Sequence, residues 1–430
     1  MTTATMTAAV PRPKATPKVI AAITIGNGLE FFDFTVFGYF AVVIGQLFFP
    51  VKDKAYELML ALGTFGIAFV ARPIGGLVLG LFADRAGRKP AMTLTLILMA
   101  VGALGVAVAP NYAQIGIWAP IWLTVARLVQ GFALGGEVGA STSLLLEYAD
   151  DHSRGYFGSW QFVSQGFSSL LGAGVAALLT NTLSHDALYS WGWRIPFFIG
   201  VLMVPVGVYI RRHLDETLGH RAGEDESAKA KLKEAFRTDS KLIWSGVLLI
   251  WGGTVATYLI VFYFPTYAKQ FLGLPLSVTL WAGVTASAIL IPVSIFAGRL
   301  SDRVGRIPVA WWSRLALMIL VVPGFMLLVN YRSAGALIGV VAVLSVLLAL
   351  QASPGITFIT ELYPRAVRAT SLSVVYSLGV AIFGGTAQVI ATWLIKVTGS
   401  DLAPAWYMIV ATLLSSLPYL WLKETAGRPI

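Results

Sequence analysis

The chain has 430 residues, of which 57% are hydrophobic and only 12% are charged, and its mean hydropathy is +0.76. Soluble domains contain about 25% charged residues, so this composition excludes a soluble globular protein and indicates several membrane spans. The net charge of +10 is carried by short loops between apolar segments, which indicates a lipid bilayer as partner and no nucleic acid. The chain has no cysteine, and its four histidines lack metal-ligand spacing, so we expect no disulfide and no metal site.

Residues 1–18 are polar and lack the apolar core of a signal peptide, so we expect a cytoplasmic N-terminal tail. Apolar segments of bilayer-spanning length follow, and hydropathy places twelve of them, near 19–49, 56–82, 91–109, 117–147, 155–183, 194–211, 241–270, 277–299, 308–329, 335–361, 368–396 and 404–423. The predicted fold is an all-α polytopic membrane protein with twelve transmembrane helices in two six-helix bundles. The two bundles are predicted at 19–211 and 241–423. A cytoplasmic connector at 212–240 lies between them, and residues 424–430 form a short cytoplasmic tail.

The distribution of Lys and Arg between the loops predicts the orientation in the membrane. If both termini are cytoplasmic, the outer loops hold only a few of the 31 Lys and Arg residues, namely Lys52, Lys54, Arg194, Lys269, Arg332 and Lys396. The strong bias toward the inner loops therefore favours a multi-pass protein with both termini in the cytoplasm.

The first span contains Asn27, Glu30 and Asp33 at intervals of three residues, within an otherwise apolar segment. A carboxylate inside a bilayer is costly unless it is paired or neutral, and such residues generally carry function. We interpret Asp33 and Glu30 as candidate proton-coupling residues and Asn27 as a candidate substrate ligand. For Glu30, a structural ion pair between two helices is an equal alternative.

A polar face follows the fourth span, where Arg127, Gln130, Glu137 and Ser141 recur at helical spacing. Arg127 and Gln130 are candidate ligands for a substrate carboxylate, and Glu137 is a further proton-coupling candidate. At about 1.5 Å of rise per residue, Asp33 and Arg127 lie at depths that can meet near the bilayer centre. A proton on Asp33 would then control whether Arg127 is free, and a permanent ion pair that only orders the helices is the alternative.

The remaining polar candidates for substrate binding are neutral: Gln161 and Gln165 in span five, and Tyr376 and Gln388 in span eleven. Each of them could instead form a hydrogen bond that only joins helices. Arg72 in span two precedes Pro73, and we interpret it as bonded to neighbouring carbonyls, with anion binding as the alternative. The second half has no mid-span carboxylate, so proton handling is expected in the first half.

An internal repeat is visible in two loops. Gly80-Leu-Phe-Ala-Asp84-Arg85-Ala-Gly87-Arg88-Lys89 joins spans two and three, and Gly298-Arg-Leu-Ser-Asp302-Arg303-Val-Gly305-Arg306-Ile joins spans eight and nine. The pair Glu147 and Arg154 likewise recurs as Glu361 and Arg368. Matched loops in two six-span halves indicate a duplicated bundle with a binding cavity between the halves near the midplane.

These loops resemble the signature loop of the major facilitator superfamily, and Arg127-Leu-Val-Gln-Gly resembles its second motif. Further stretches resemble the metabolite:proton symporter branch, namely Gly26-Asn-Gly-Leu-Glu-Phe-Phe-Asp-Phe, Arg72-Pro-Ile-Gly-Gly, Trp193-Arg-Ile-Pro-Phe and Ala381-Ile-Phe-Gly-Gly. Ser159-Trp-Gln and the stretch Ser190-Trp-Gly-Trp-Arg are most similar to bacterial citrate–proton symporters. One departure leaves the substrate open, since Phe31-Phe32 stands where many members of the branch have Trp-Tyr.

The resemblance implies the major facilitator fold, alternating access, a proton as coupling ion and no cofactor. It also implies a monomeric functional unit in a bacterial inner membrane, and an Asp33–Arg127 pair like that of several proton-coupled relatives. Charge pairs near the matched loops would hold an inner gate shut, and the candidates are Asp84, Arg88, Asp302, Arg306, Glu147, Arg154, Glu361 and Arg368.

The sequence thus predicts a proton symporter, not an enzyme, that imports a small organic anion. Di- and tricarboxylates are the leading candidate substrates, with citrate first among them. One alternative is a zwitterionic osmolyte such as betaine or proline, for which an aromatic cage is expected. Another is a different organic acid, such as 2-oxoglutarate or a shikimate-like compound. A sensor would carry an added signalling domain, and a membrane enzyme would need a nucleophile–base or metal cluster in its spans. The sequence has neither.

Overall fold

The computed structural model describes residues 17–86, 88–135, 137–202, 205, 240–364 and 368–428, and the regular structure in these ranges is helical throughout. The first half contains α1 (Pro17–Tyr39), α2 (Ala41–Phe48), α3 (Lys54–Ala86), α4 (Arg88–Ala107), α5 (Tyr112–Ile115), α6 (Trp118–Ala133), α7 (Glu137–Glu147), α8 (Arg154–Thr182), α9 (His185–Ser190) and α10 (Gly192–Leu202). The second half contains α11 (Ser240–Gln270), α12 (Leu276–Val304), α13 (Arg306–Tyr331), α14 (Ala334–Glu361), α15 (Arg368–Gly379, Val380–Gly384 and Gly385–Thr398) and α16 (Ala403–Ser416).

The lengths and apolar surfaces of these helices suit a bilayer. Among the described residues, eight helices are long and apolar enough to cross a membrane, and nine if the bent pair α1–α2 is one span. The shorter helices α4, α6 with α7, and α10 lie where spans three, four and six were predicted. The predicted all-α membrane fold is confirmed.

The first span is bent, although its sequence predicts one continuous apolar segment. The segments Phe31–Tyr39 and Ala41–Phe48 meet at 70°. Phe40 between them has φ −93° and ψ 9°, which interrupts the helix without a proline. The bend lets α2 pack along α3, where Gly45 contacts Glu57.

Two spans contain a π-helical segment, Tyr258–Tyr263 in α11 and Val380–Gly384 in α15. The segments touch, because Gly384 packs against the ring of Tyr258. Such wide turns re-aim side chains and frequently occur at functional positions. Here the wide turn carries Tyr258 toward the centre of the molecule.

The helices pack both within each half of the chain and extensively between the halves. Within the first half α1 packs on α8 and α6 packs on α3 and α4, and within the second half α14 packs on α12 and α13, and α16 on α11. Between the halves, α8 packs on α12 and α14, and α15 packs on α3 and α7. The six-span repeat relates α3 to α12 and α8 to α15. A two-fold rotation between the halves would therefore convert the contact of α8 with α12 into a contact of α15 with α3, and both contacts are present.

Two names are used below for the opposite ends of the bundle. The Gly305 end is the one at which Gly305 separates α12 from α13. The Gly399 end is the one at which Gly399 follows α15.

Candidate functional site

A central cavity lies between the two halves, and both contribute to its wall. It encloses about 920 Å³ of space not occupied by atoms, including its openings to solvent. Its polar lining residues are Thr35, Arg72, Gln165, Ser169, Thr254, Thr257, Tyr258, Arg314, Gln351 and Tyr376. No Asp or Glu is among the described residues that line it, so the wall carries positive charge.

Arg72 of α3 is the cavity's most available cation. The residue is 3% exposed, and its Nε and Nη2 atoms have no hydrogen-bond partner. Its guanidinium lies over Phe69 and Phe34, with Cζ 4.2 Å and 4.7 Å from the ring centroids. The aromatic faces hold the charge by cation–π contact and leave the N–H groups without an acceptor. The bonds to carbonyls that the sequence suggested are not made by these two nitrogens.

Arg314 of α13 also borders the cavity, but its guanidinium is already engaged. Nη1 donates to the carbonyl of Ser415 at 2.8 Å, and Nη2 donates to the carbonyl of Leu249 at 2.9 Å. Arg314 therefore ties α13 to α16 and α11. The carbonyl lock that the sequence assigned to Arg72 is found here instead.

Neutral donors and acceptors complete the wall. The side chains of Tyr376 and Gln165 lie close together on the wall, and both were predicted substrate ligands. Gln351 of α14 is 1% exposed, and both polar atoms of its amide lack a partner. Tyr258 stands against Phe65, Phe69 and Phe262, with ring centroids 5.9, 5.5 and 5.6 Å away respectively. Arg72, Tyr258 and Gln351 thus join the site although they were not among its predicted ligands.

The other predicted substrate ligands lie away from the cavity wall. These are Arg127, Gln130, Asn27, Gln161 and Gln388. The Arg127 guanidinium donates to Gln130 at 2.7 Å, the amide of Asn27 donates to Ser164, and Gln161 accepts from Ser141 at 3.1 Å. The amide atoms of Gln388 are buried without a partner. In this structure the first four residues join helices or turns, and a substrate role for all five stays a prediction.

Asp33 and Arg127 are both buried in the first half, at 4% and 0% exposure. Their charges interact, but no salt bridge joins them: Arg127 Nε and Nη2 and Asp33 Oδ1 have no hydrogen-bond partner. The Asp33 carboxylate packs directly on Gly200, where any side chain would collide. Arg127 lies instead over Phe34 and Phe37, with Cζ 4.3 Å from each centroid. The expected direct contact is therefore replaced by aromatic packing.

A buried charge cluster lies at the Gly305 end and contains four of the predicted gating residues. Arg306 Nη1 donates to Asp302 at 2.7 Å, and its Nε and Nη2 each donate to Glu361 at 3.3 Å. Arg154 Nη1 lies 3.6 Å from Glu361. Arg306 and Glu361 are 1% and 5% exposed, so the pairs lie in the interior and hold α12, α13 and α14 together.

The same cluster joins the two halves. The Asp302 carboxylate of α12 accepts from the backbone N–H groups of Gly155 and Tyr156 at 2.7 and 2.8 Å. It therefore caps the N-terminus of α8, where a carboxylate also meets the positive end of the helix dipole. Gly155 and Gly298 meet backbone to backbone, so that a Cβ on either would collide with the other's carbonyl. The Gly305 end is closed here.

The segment after α16 also belongs to this cluster. Glu424 accepts from the backbone N–H of Arg306 at 3.0 Å and from that of Ile307 at 2.9 Å. Arg154 donates to the carbonyl of Arg428 at 2.9 Å. The predicted short tail is therefore packed across both halves.

The other predicted gating and proton residues have mixed outcomes. Arg368 donates to the carbonyl of Tyr363 at 3.2 Å, and Glu147 ends α7 in a half-buried position. The side chains of Glu30, Glu137, Asp84 and Arg88 lie outside the described part of the structure. The roles proposed for all of them stay predictions.

At the Gly399 end, one ion pair crosses between the halves. Lys396 of α15 donates to Asp53, in the loop before α3, and its ammonium lies 3.4 Å from the centroid of Tyr56. The bond from Lys396, with backbone N–H groups of Ala55 and Tyr56, holds the pKa of Asp53 below its usual range. The pair is partly exposed and closes this end by a surface contact.

Comparisons with known proteins agree with this architecture. Residues 23–386 match the Major Facilitator Superfamily. The chain is 35% identical over 413 residues to a citrate-proton symporter of Klebsiella pneumoniae, covering 95% of this chain and 92% of that one. It is 31% identical over 430 residues to a proline/betaine transporter of Salmonella typhimurium, covering 96% and 84%. The fold resembles the partially occluded, inward-open xylose transporter XylE from E. coli, with a TM-score of 0.76, 16% identity and coverage of 96% and 99%.

Two helical halves around a central cavity are typical of a secondary membrane transporter. The chain belongs to the Major Facilitator Superfamily. Its relatives are named as transporters and symporters and not as enzymes, which agrees with the expectation from the sequence. The citrate-proton symporters are named for the coupling ion that the sequence predicts, and no cofactor is called for.

Proposed function

We propose that the protein is a proton-coupled symporter that takes up a small organic anion by alternating access, with di- and tricarboxylates such as citrate as leading substrates. The observation that carries this proposal is Arg72, which lines the cavity and has two buried guanidinium nitrogens, Nε and Nη2, without a hydrogen-bond partner. A carboxylate can accept both N–H groups of such a fork and supplies the missing negative charge. The absence of Asp and Glu from the described cavity lining favours an anion further.

The neutral groups of the wall suit the rest of such a substrate. Tyr376, Gln165 and Gln351 offer hydroxyl and amide groups on the walls formed by α15, α8 and α14. A substrate with more than one carboxylate or a hydroxyl could engage them while Arg72 holds one carboxylate. The named citrate-proton symporters, at 35% and 36% identity, support the same substrate class.

A zwitterionic osmolyte is the second candidate, because several relatives are named proline/betaine transporters and the cavity is rich in aromatic residues. A quaternary ammonium group would need free ring faces. Three of the rings that line the cavity already contact the protein's own cations: Phe34 contacts Arg72 and Arg127, Phe31 contacts Arg72, and Phe65 contacts Arg127. These rings are therefore less available to a betaine ammonium group, which favours the anion.

Asp33 is the proposed proton carrier. It is buried, one of its oxygens has no hydrogen-bond partner, and it interacts electrostatically with Arg127. A carboxyl group in this environment can exchange a proton as the cavity opens to either side. We further propose that the Gly305 end faces the cytoplasm of a bacterial cell, that both termini do so, and that one chain is the functional unit in the inner membrane.

Counterflow in proteoliposomes tests the substrate. Vesicles are loaded with unlabelled citrate and given labelled citrate outside, in the presence of competing dicarboxylates, 2-oxoglutarate, shikimate, glycine betaine or proline. Parallel vesicles are loaded with each competitor and given its labelled form outside. We expect the carboxylates to exchange and compete, whereas betaine and proline leave the exchange unchanged. Exchange of betaine or proline without exchange of any organic acid would overturn the anion proposal in favour of the zwitterion.

A further inference from the structure

The ring of Phe34 is shared by Arg72 and Arg127, two buried arginines of the first half. Arg72 Cζ lies 4.7 Å from its centroid, and Arg127 Cζ lies 4.3 Å from it. Phe34 is 3% exposed, borders the central cavity and directly follows Asp33 in the chain. Three neighbouring rings each contact only one of these arginines: Phe69 contacts Arg72, whereas Phe37 and Phe65 contact Arg127.

We propose that Phe34 is a positioning residue that couples the proton site to the anion site, by holding Arg127 and Arg72 on one ring. This inference rests on the proposed proton–anion symport. The two guanidinium carbons are at most about 9 Å apart, because both lie so close to one centroid. At that distance in a buried site, each charge feels the other strongly.

The charges around the ring determine the sign of the coupling. Asp33 on α1 partly compensates Arg127, and Arg127 repels Arg72. The other titratable groups that face the two arginines are Tyr258 of α11 and Tyr376 of α15, both uncharged at neutral pH. The side chains of Glu30 and Glu137, on α1 and α7, lie outside the described part of the structure.

Protonation of Asp33 removes the one negative charge among these described groups. The pair of arginines then carries its full positive charge, and an anion at Arg72 is held more tightly. By reciprocal linkage, a bound anion makes a proton on Asp33 more favourable. The substrate therefore need not touch Arg127 or Asp33 for the two ligands to load together, provided that Phe34 keeps the two cations close.

The test measures binding of labelled citrate to the purified protein between pH 6 and pH 8, with its concentration expressed as the fully ionised form. We expect the wild type to bind about tenfold more tightly at pH 6, a typical coupling. Phe34→Leu keeps an apolar side chain but removes the ring, and it should reduce this ratio to less than about twofold. Phe34→Tyr keeps the ring and should restore the ratio.

Matched controls are Phe37→Leu and Phe69→Leu, since these rings contact only Arg127 or only Arg72. Both should keep most of the pH dependence. A tenfold ratio in Phe34→Leu would overturn the inference, and so would an equal loss in both controls. If Phe34→Leu fails to fold, Phe34→Met carries the same expectation. Wild-type protein that binds no organic acid at all would instead refute the proposed function.

Discussion

At the scale of single residues, Arg72 is the side chain on which the substrate proposal depends. Its charge is buried and held by two aromatic rings, while two of its nitrogens, Nε and Nη2, lack acceptors. Leaving charged donors unsatisfied in a buried site costs free energy. That cost would be recovered each time a carboxylate binds.

Replacing Arg72 by lysine should weaken binding of citrate by about tenfold or more, because a point charge cannot donate two parallel hydrogen bonds or stack on a ring. Arg127→Lys is the matched control, and it should change affinity less, since Arg127 lies away from the cavity wall. Titration calorimetry on the purified variants measures both affinities. A large loss of citrate affinity in Arg127→Lys alone would show instead that Arg127, the residue that the sequence favoured, binds the carboxylate.

The sequence identified the residue types of this site better than their positions. Helical spacing correctly placed Arg127 beside Gln130, because it gives the relative angles of residues on one helix. It does not tell which face of a helix points to a cavity, since that depends on the neighbours that pack around it. The rings of Phe34 and Phe37 cover Arg127, whereas α3 brings Arg72 to the cavity.

At the scale of helices, the Gly305 end is held by backbone contact as well as by charge. Gly298 of α12 and Gly155 of α8 approach so closely that neither position has room for a side chain. This end can open only if the two helices separate at these glycines. A residue with a Cβ should therefore disfavour the closed arrangement.

Gly298→Ala should shift the protein toward opening of the Gly305 end. The chain has no cysteine, so a single Thr357→Cys reports access to this buried position through its alkylation rate. We expect the rate to rise several-fold in Gly298→Ala. Gly339→Ala is the control, because its added Cβ meets open space and should leave the rate unchanged. An unchanged rate in Gly298→Ala would show that the end opens elsewhere.

The Gly399 end should respond differently, because its ion pair is partly exposed. Asp53→Asn removes the pair and should raise the alkylation rate of Ser400→Cys by no more than about fivefold, as surface pairs are weak. The depressed pKa of Asp53 means that the pair is lost only as the pH falls below the ordinary value of 3.8. The effect should therefore be equal at pH 5.5 and pH 8. Asp401→Asn is the control and should leave the alkylation rate of Ser400→Cys unchanged. An effect of Asp53→Asn that disappears at pH 5.5 would contradict this account.

Departures from regular helix were the least predictable elements. No proline lies within the bend at Phe40 or within the π-helical segments Tyr258–Tyr263 and Val380–Gly384, so the sequence shows no sign of them. They arise from packing between spans, such as that of Tyr258 on Gly384. Hydropathy records only that these segments are apolar, so it predicts their existence and not their shape.

At the scale of the whole molecule, composition and the loop repeat predicted the fold well. An apolar chain with regularly spaced polar loops has few alternatives to a helical membrane bundle, because every backbone group must be satisfied inside lipid. Matched loops then indicate two related halves, and α8–α12 and α3–α15 contacts agree with that relation. The boundaries of the two bundles, and their orientation in the membrane, stay predictions.

The central claim, that a proton and an organic anion enter together, is tested most directly by proton flux. Proteoliposomes that contain a trapped pH indicator receive citrate or glycine betaine outside. We expect citrate to acidify the interior in the wild type, and Asp33→Asn to abolish this acidification while citrate exchange persists. Acidification by betaine alone, or citrate-driven acidification that survives in Asp33→Asn, would contradict the account.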